Sequence, residues 1–263
     1  MTGLEFPVLG WVVLAAAALL IGISKTSIGG LGTLAVAGFA LFIPARESTA
    51  AVLLLLIIAD LVAVIIYRRS ADWSLLRSLL PAVLPGVVLG ALVIAVIDNR
   101  TMMLLIAACI LVAFTIQLLM RRREAIRVPA GAAPPVAPRG SRPHPATTIG
   151  TGVAAGFTTM VANAAGPVMA LYLLAARVDK MRFVGTLARY ALIVNVAKVP
   201  FSIGLGLMTT STLWLTLALA PAVLIGTWLG RRFLRRLPQR RFEQLTMTAA
   251  LIAGVALLVR GLL

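Results

Sequence analysis

A lysine lies among small and hydroxyl-bearing residues near the start of the chain. Residues 22–32 read GISKTSIGGLG and place Lys25 between two long apolar runs. A charged group within apolar membrane sequence is costly, so it is expected to serve a function or to have a partner. Glycines let backbone approach a ligand closely, and the free N–H groups at the start of a following helix favour an anion. The stretch therefore predicts an anion site, and the alternative is a polar loop with Lys25 in water.

A second stretch of small residues, 156–166, aligns with 22–32. It supplies Thr158, Thr159 and Asn163 as neutral hydrogen-bonding groups. Pro167 fits the first position of the next helix, which would aim the positive end of that helix at the same point. Two helix N-termini and a lysine would hold an anion without a metal or a cofactor, and no cluster of His, Cys and carboxylate residues has metal-ligand spacing.

Further polar residues lie deep within later apolar segments. Asp60 and Asn195 are each about twelve residues into their segments, and Lys198 follows on nearly the same helix face as Asn195. The predicted substrate-binding residues come from the two loops and from this helix: Ser24, Lys25, Thr26, Ser27, Gly29, Gly30, Gly32, Thr158, Thr159, Asn163, Gly166, Asn195 and Lys198.

Asp60 is predicted to pair with a cation and to exchange a coupling proton. The alternative is a purely structural ion pair with Lys25 or Lys198. Arg189 lies near the end of its segment, where it is expected to snorkel to the membrane surface. If all four of these groups are charged, three positive charges face one negative charge, which fits an anionic substrate.

The composition indicates an all-α polytopic membrane protein. The 263 residues are 61% hydrophobic with a mean hydropathy of +1.04, whereas soluble domains are roughly 45–50% apolar. The net charge of +16 comes mainly from arginines at the ends of apolar runs. That placement orients helices in a membrane, so it does not indicate nucleic-acid binding.

Ten apolar segments are predicted in two groups of five. They cover about 7–24, 28–43, 48–67, 75–97, 101–120, 147–162, 164–177, 183–204, 211–230 and 241–260. Residues 1–120 form a first repeat, 121–146 a Pro- and Arg-rich linker, and 147–263 a second repeat. Residues 81–90 and 221–230 share the pattern P-A-V-L-x-G-x-x-L-G, so duplication is the favoured explanation.

Arginine placement predicts the topology of these segments. The basic connections alternate along the chain, which places linker 121–146 in the cytoplasm and both termini outside the inner membrane. Because each repeat has five segments, the second repeat is inverted relative to the first, as in many secondary transporters.

The second segment of each repeat is short. At ~1.5 Å per residue, 28–43 would span about 24 Å and 164–177 about 21 Å, less than the ~30 Å hydrocarbon core. Partly re-entrant hairpins, with their tips near the midplane, are therefore expected. Full but tilted crossings are the alternative.

Several longer motifs resemble the sulfite exporter TauE/SafE family of membrane permeases. They read GISKTSIGGLG, ARESTAAVLLLLIIADLVAVIIYRRSADW, NAAGPVMALYLL, DKMRFVGT and NVAKVPFSIGLG, and the resemblance covers nearly the whole chain outside the linker. The resemblance implies export of small sulfur oxoanions or organosulfonates without ATP. It also implies that the matching loop positions line the pathway: Lys25, Gly29, Gly30, Gly32, Asn163 and Gly166.

The expected function is a secondary transporter that moves a small anion out across the cytoplasmic membrane. Its expected partners are that anion and the lipid bilayer, with a homodimer left open and no nucleic acid. The alternatives are a transporter of another carboxylate or anion, and a non-transporting assembly or sensor subunit. A membrane-embedded enzyme is disfavoured, because such sites usually show a carboxylate pair for Mg²⁺ or a catalytic His or Cys, and none of these is predicted within the membrane.

Overall fold

The computed structural model describes residues 6–26, 31–127, 144–163, 165–176 and 180–233, with five single positions between 252 and 262. The described residues form nine helices with defined bounds. These are α1 (Val8–Thr26), α2 (Leu31–Phe42), α3 (Ala45–Ile66), α4 (Trp73–Val96), α5 (Asn99–Arg127), α6 (Pro145–Ala162), α7 (Ala165–Ala175), α8 (Lys180–Gly204) and α9 (Thr210–Phe233).

The lengths and compositions of these helices agree with a membrane protein. Four described helical stretches are long and apolar enough to cross a bilayer: Val8–Thr26, Arg46–Ile66, Trp73–Val96 and Thr210–Arg232. The prediction of an all-α polytopic membrane protein is therefore confirmed. The predicted tenth segment, 241–260, lies almost entirely outside the described residues, as does most of the linker.

The helix ends differ from the predicted segments at one notable place. Helix α5 continues to Arg127, so the first residues assigned to the linker are helical. Arginine is a good helix former and the first linker proline is Pro129, so nothing in 121–127 breaks the helix.

Acidic residues cap two of the long helices. The Asp72 carboxylate accepts hydrogen bonds from the backbone N–H groups of Ser74 and Leu75 at the start of α4. At the start of α5, hydrogen bonds from the side chain and backbone of Thr101 hold the pKa of the exposed Asp98 carboxyl below its usual value. These caps satisfy N–H groups that have no partner within the helix.

Helices α2 and α7 are the short members of the bundle. They have 12 and 11 residues, which is about 18 Å and 16 Å at ~1.5 Å per residue, against a hydrocarbon core of about 30 Å. Neither is long enough to cross the core as a straight helix. Helix α6 ends at Ala162 and is capped by Asn163, whose φ of 51° is in the left-handed region, and α7 begins at Ala165.

The closest helix packing joins the first helix of one repeat to the fourth helix of the other. Helix α1 packs most extensively on α9, and α6 on α4. At Gly22 an added Cβ would overlap backbone atoms of Val223 and Thr227. The backbones are therefore in direct contact, which is the arrangement that small residues permit between membrane helices.

The corresponding glycine of α6 makes the corresponding contact. A Cβ on Gly156 would overlap backbone atoms of Val83 and Val87 in α4. The sequence alignment pairs Gly156 with Gly22, and pairs these two valines with Val223 and Thr227. Positions that the sequence alignment matches thus make matched contacts, with α1 packed on α9 and α6 packed on α4.

We predict that Gly156→Ala lowers the stability of the protein. The overlapping atoms are backbone atoms that no rotamer change can move, so overpacking should cost about 1–3 kcal/mol. Thermal unfolding of the purified protein in detergent measures the effect. Gly150→Ala is the matched control on the same helix, because a Cβ there meets nothing within 4 Å. Equal melting temperatures for the two variants would contradict the prediction.

Candidate functional site

A buried carboxylate joins three helices at the centre of the bundle. Asp60 of α3 is 0% exposed, and its Oδ1 lies 2.7 Å from the Nζ of Lys25 in the last turn of α1. Its Oδ2 accepts a hydrogen bond of 2.6 Å from the Nδ2 of Asn195 in α8. The ion pair and the amide together compensate a charge that would be costly to bury alone.

Asp60 and Asn195 occupy corresponding places in the two repeats. Each lies on the third helix of its repeat, and the two side chains bond to each other where α3 packs on α8. If the two repeats are related by a two-fold axis, corresponding residues can contact each other only near that axis.

Lys198 forms a second polar cluster at the end of α6. Its side chain is 1% exposed, and its Nζ donates to the carbonyl oxygen of Thr159 at 2.8 Å, the hydroxyl of Thr159 at 3.2 Å and the Oδ1 of Asn163 at 2.6 Å. An ammonium has three donors, so these bonds use all of them. Asn163 also donates to the carbonyl oxygen of Thr49, which links the cluster to α3.

Helices α1 and α6 each have a lysine side chain beside their C-terminal end. Helix α1 carries Lys25 in its own last turn, whereas α6 receives Lys198 from α8. A helix C-terminus carries partial negative charge, so both lysines lie where a cation is favoured. If Asp60 and both lysines are charged, the two clusters together hold two positive charges and one negative charge.

The two lysines differ in how accessible they are. The side chain of Lys25 is 18% exposed, whereas Lys198 is enclosed and fully bonded. Of the two, Lys25 is therefore the more accessible lysine. A Cβ on the half-buried Gly166, three residues after Asn163, would meet nothing within 4 Å, so open space adjoins the start of α7.

Arg189 lies apart from this group of charges. Its guanidinium donates to the carbonyl oxygens of Tyr67 and Arg68 at the end of α3, and it lies 5.6 Å from the ring centroid of Trp73. These contacts tie α8 to the α3–α4 turn. The count of three positive charges against one is therefore reduced to two against one.

The remaining predicted residues divide into three groups. The Thr26 hydroxyl donates to the Thr227 carbonyl oxygen on α9, and the Thr158 hydroxyl donates to that of Ala154 in its own helix. Ser24 is buried in α1, and Gly32 is the second residue of α2. Ser27, Gly29 and Gly30 lie outside the described residues.

Tyr67 directly follows α3, where a tyrosine is typical of an anchor at the membrane interface, yet its side chain is buried. Its side chain is 7% exposed, and its hydroxyl donates to the carbonyl oxygen of Thr26, 2.9 Å away. The carbonyl groups at a helix end have no partner within the helix, so Tyr67 satisfies one of them beside Lys25. A tyrosine at the end of an apolar run is typical of both roles, and sequence alone does not separate them.

We predict that Lys198→Met destabilises the fold. The substitution removes three hydrogen bonds and leaves the Oδ1 of Asn163 without this donor, at about 1–3 kcal/mol for an unsatisfied group. The carbonyl oxygen of Thr159 keeps its hydrogen bond from the backbone N–H of Asn163. Thermal unfolding in detergent measures the loss, and Thr158→Val is the control because its hydroxyl bonds only within α6. Equal stability of Lys198→Met and the unmodified protein would show that these bonds contribute nothing.

The described residues contain no group of three or more His, Cys, Asp and Glu residues that could hold a metal ion. Comparison with curated proteins and with solved structures gives no match. A family model described as sulfite exporter TauE/SafE matches residues 14–257, from the first turns of α1 to near the C-terminus. Because this match covers most of the chain, the protein belongs to the sulfite exporter TauE/SafE family.

Proposed function

We propose that this permease is a secondary transporter that exports a small anion, namely sulfite, an organosulfonate or a related oxoanion. Family membership makes the chain a membrane permease for sulfite-related anions as a class. The observation that carries the proposal is the pair of buried lysines with a single carboxylate where α1, α3, α6 and α8 meet. An excess positive charge at such a point attracts a small anion.

Lys25 is the residue that we assign to substrate binding. It is the more exposed of the two lysines, and its ammonium is held by one carboxylate oxygen 2.7 Å away. A sulfonate or sulfite oxygen offers the same kind of acceptor as that carboxylate, so it can take the place of Asp60. The amide of Asn163 and the open space at Gly166 lie at the start of α7, where N–H groups favour an anion.

Asp60 is the residue that we assign to proton coupling. When an anion takes Lys25, the buried carboxylate loses its cation, and leaving a buried charge unpaired costs about 3–5 kcal/mol. Protonation of Asp60 removes that charge, and the neutral acid still accepts the hydrogen bond from Asn195. Anion binding at Lys25 therefore favours proton binding at Asp60, which couples the two through one ion pair.

The membrane arrangement that we propose follows the charge pattern of the sequence. Two inverted repeats would place linker 121–146 in the cytoplasm and both termini outside the inner membrane. The matched contacts of α1 with α9 and of α6 with α4 support this arrangement. The starts of α2 and α7 would then face each other across the bundle, and the transporter would expose the site to each side in turn.

We predict that Lys25→Ala abolishes sulfite flux in proteoliposomes, because the accessible cation is lost. This substitution also leaves Asp60 buried without its cation. The double variant Lys25→Ala/Asp60→Asn is therefore tested beside it, because it leaves no unpaired charge at this position. Arg232→Gln removes a positive charge at the exposed end of α9 and should transport normally.

Normal flux in the folded double variant would remove Lys25 from the mechanism. If the unmodified protein moves no sulfite, sulfonate or carboxylate faster than empty liposomes, the proposed transport is wrong and a non-transporting subunit is favoured.

We predict that Asp60→Asn abolishes the pH dependence of anion binding. The unmodified protein should bind an organosulfonate more tightly as the pH falls, because protonation of Asp60 releases Lys25. The asparagine carries no proton to exchange, so its binding should be tight at every pH. Isethionate is the suitable probe because its own charge is constant, and thermal shift measures binding. An equal pH dependence in both proteins would exclude Asp60 as the coupling group.

A further inference from the structure

An apolar groove lies between α4 and α8, outside the polar clusters. Its volume is about 370 Å³, and its lining is almost entirely apolar. The groove opens to the outer surface of the bundle, since Leu84 and Ile193 are 51% and 36% exposed. The lining residues that matter below are Arg77, Leu80, Leu84 and Val87 of α4 and Ile193 and Ala197 of α8.

The length of the groove matches one leaflet of a bilayer. Arg77 lies one turn after Trp73, which begins α4 and is 50% exposed, as is typical of a membrane interface. From Arg77 to Val87 the helix rises about 15 Å, which is half of the ~30 Å hydrocarbon core. The groove therefore extends from the headgroup level to the middle of the membrane, with its one charged residue at the headgroup end.

The charge at the end of the groove is specific to this repeat. The position that aligns with Arg77 in the second repeat is Leu217, which is 63% exposed. Helix α4 also packs less closely on α8 than the corresponding helix α9 packs on α3. The space and the arginine are thus both found between α4 and α8. The helix packing that the two repeats have in common requires neither of them.

We propose that this groove binds one acyl chain of an anionic phospholipid, whose phosphate pairs with Arg77. The apolar lining suits a hydrocarbon chain, and a guanidinium at headgroup depth suits a phosphate. The lipid belongs to the leaflet on the side of the α3–α4 turn, which is the cytoplasmic leaflet in the topology proposed above. A zwitterionic lipid can fill the same space but presents no net negative charge to Arg77.

A bound lipid would support the helix that carries the polar clusters. Ile193 and Ala197 are each two residues from Asn195, so they lie about 200° around α8 from it at ~100° per residue. One face of α8 therefore bonds to Asp60 through Asn195, and the opposite face lines the groove. A lipid chain in the groove should therefore stabilise the position of α8 by packing on the face opposite Asn195.

Lipid binding to the purified full chain tests the proposal. Dioleoylphosphatidylglycerol and dioleoylphosphatidylcholine are added separately to protein in a neutral detergent, and native mass spectrometry and thermal unfolding are recorded. We expect the anionic lipid to be retained and to raise the melting temperature more than the zwitterionic lipid. Arg77→Gln should bind the anionic lipid about fivefold more weakly, the value for one basic residue near an anionic surface.

Two further variants separate the groove from general charge effects. Arg232→Gln removes another arginine, which lies over Trp228 on α9, and should bind the anionic lipid normally. Ala197→Phe fills the groove without removing Arg77 and should lose the retained lipid while melting normally in lipid-free detergent. This test needs no transport activity, so its result is independent of the proposed function.

Three outcomes would overturn the proposal. The first is equal retention of the two lipids by the unmodified protein, and the second is unchanged binding in Arg77→Gln. The third is a lipid-free dimer in which Leu84→Cys cross-links one copy to another, since the occupant of the groove would then be a second chain.

Discussion

The Lys25–Asp60 ion pair is the interaction on which the centre of the molecule depends. A fully buried carboxylate is stable only when a cation and further hydrogen bonds compensate it. Lys25 supplies the cation from the end of α1, and Asn195 supplies the hydrogen bond from α8. Three helices from both repeats must therefore meet at one point, and any change in the charge of that point alters how they hold together.

The position of this ion pair is set by the packing of α1 on α9. Gly22, three residues before Lys25, allows the two backbones to touch. Thr26, the residue after Lys25, donates its hydroxyl hydrogen bond to the carbonyl oxygen of Thr227 on α9. The hydroxyl of Tyr67, which directly follows α3, donates to the carbonyl oxygen of Thr26, the last residue of α1. The lysine is thus held between contacts on both sides, so that its ammonium reaches Asp60 while 18% of its side chain stays exposed.

The sequence predicts the helices well and the partners of side chains only in part. Apolar run length and arginine clusters locate nine described helices, because the bilayer imposes both patterns on any spanning helix. The pairing of Lys25 with Asp60 was foreseen as one alternative, since buried charges need partners. The bonds of Lys198 to Thr159 and Asn163 depend on how α8 crosses α6, which no local pattern encodes. The roles of Tyr67 and Arg189 depend in the same way on which helices are neighbours.

The exchange of helices between the repeats also bears on the order in which the chain assembles. Helix α1 is synthesised first, yet the backbone surface that fits Gly22 belongs to α9, some two hundred residues later. Helix α4 meets its own partner, α6, much sooner. During biosynthesis the surface of α1 around Gly22 therefore lacks its native contact until α9 has been made. The contact between α1 and α9 can form only after α9 has entered the membrane.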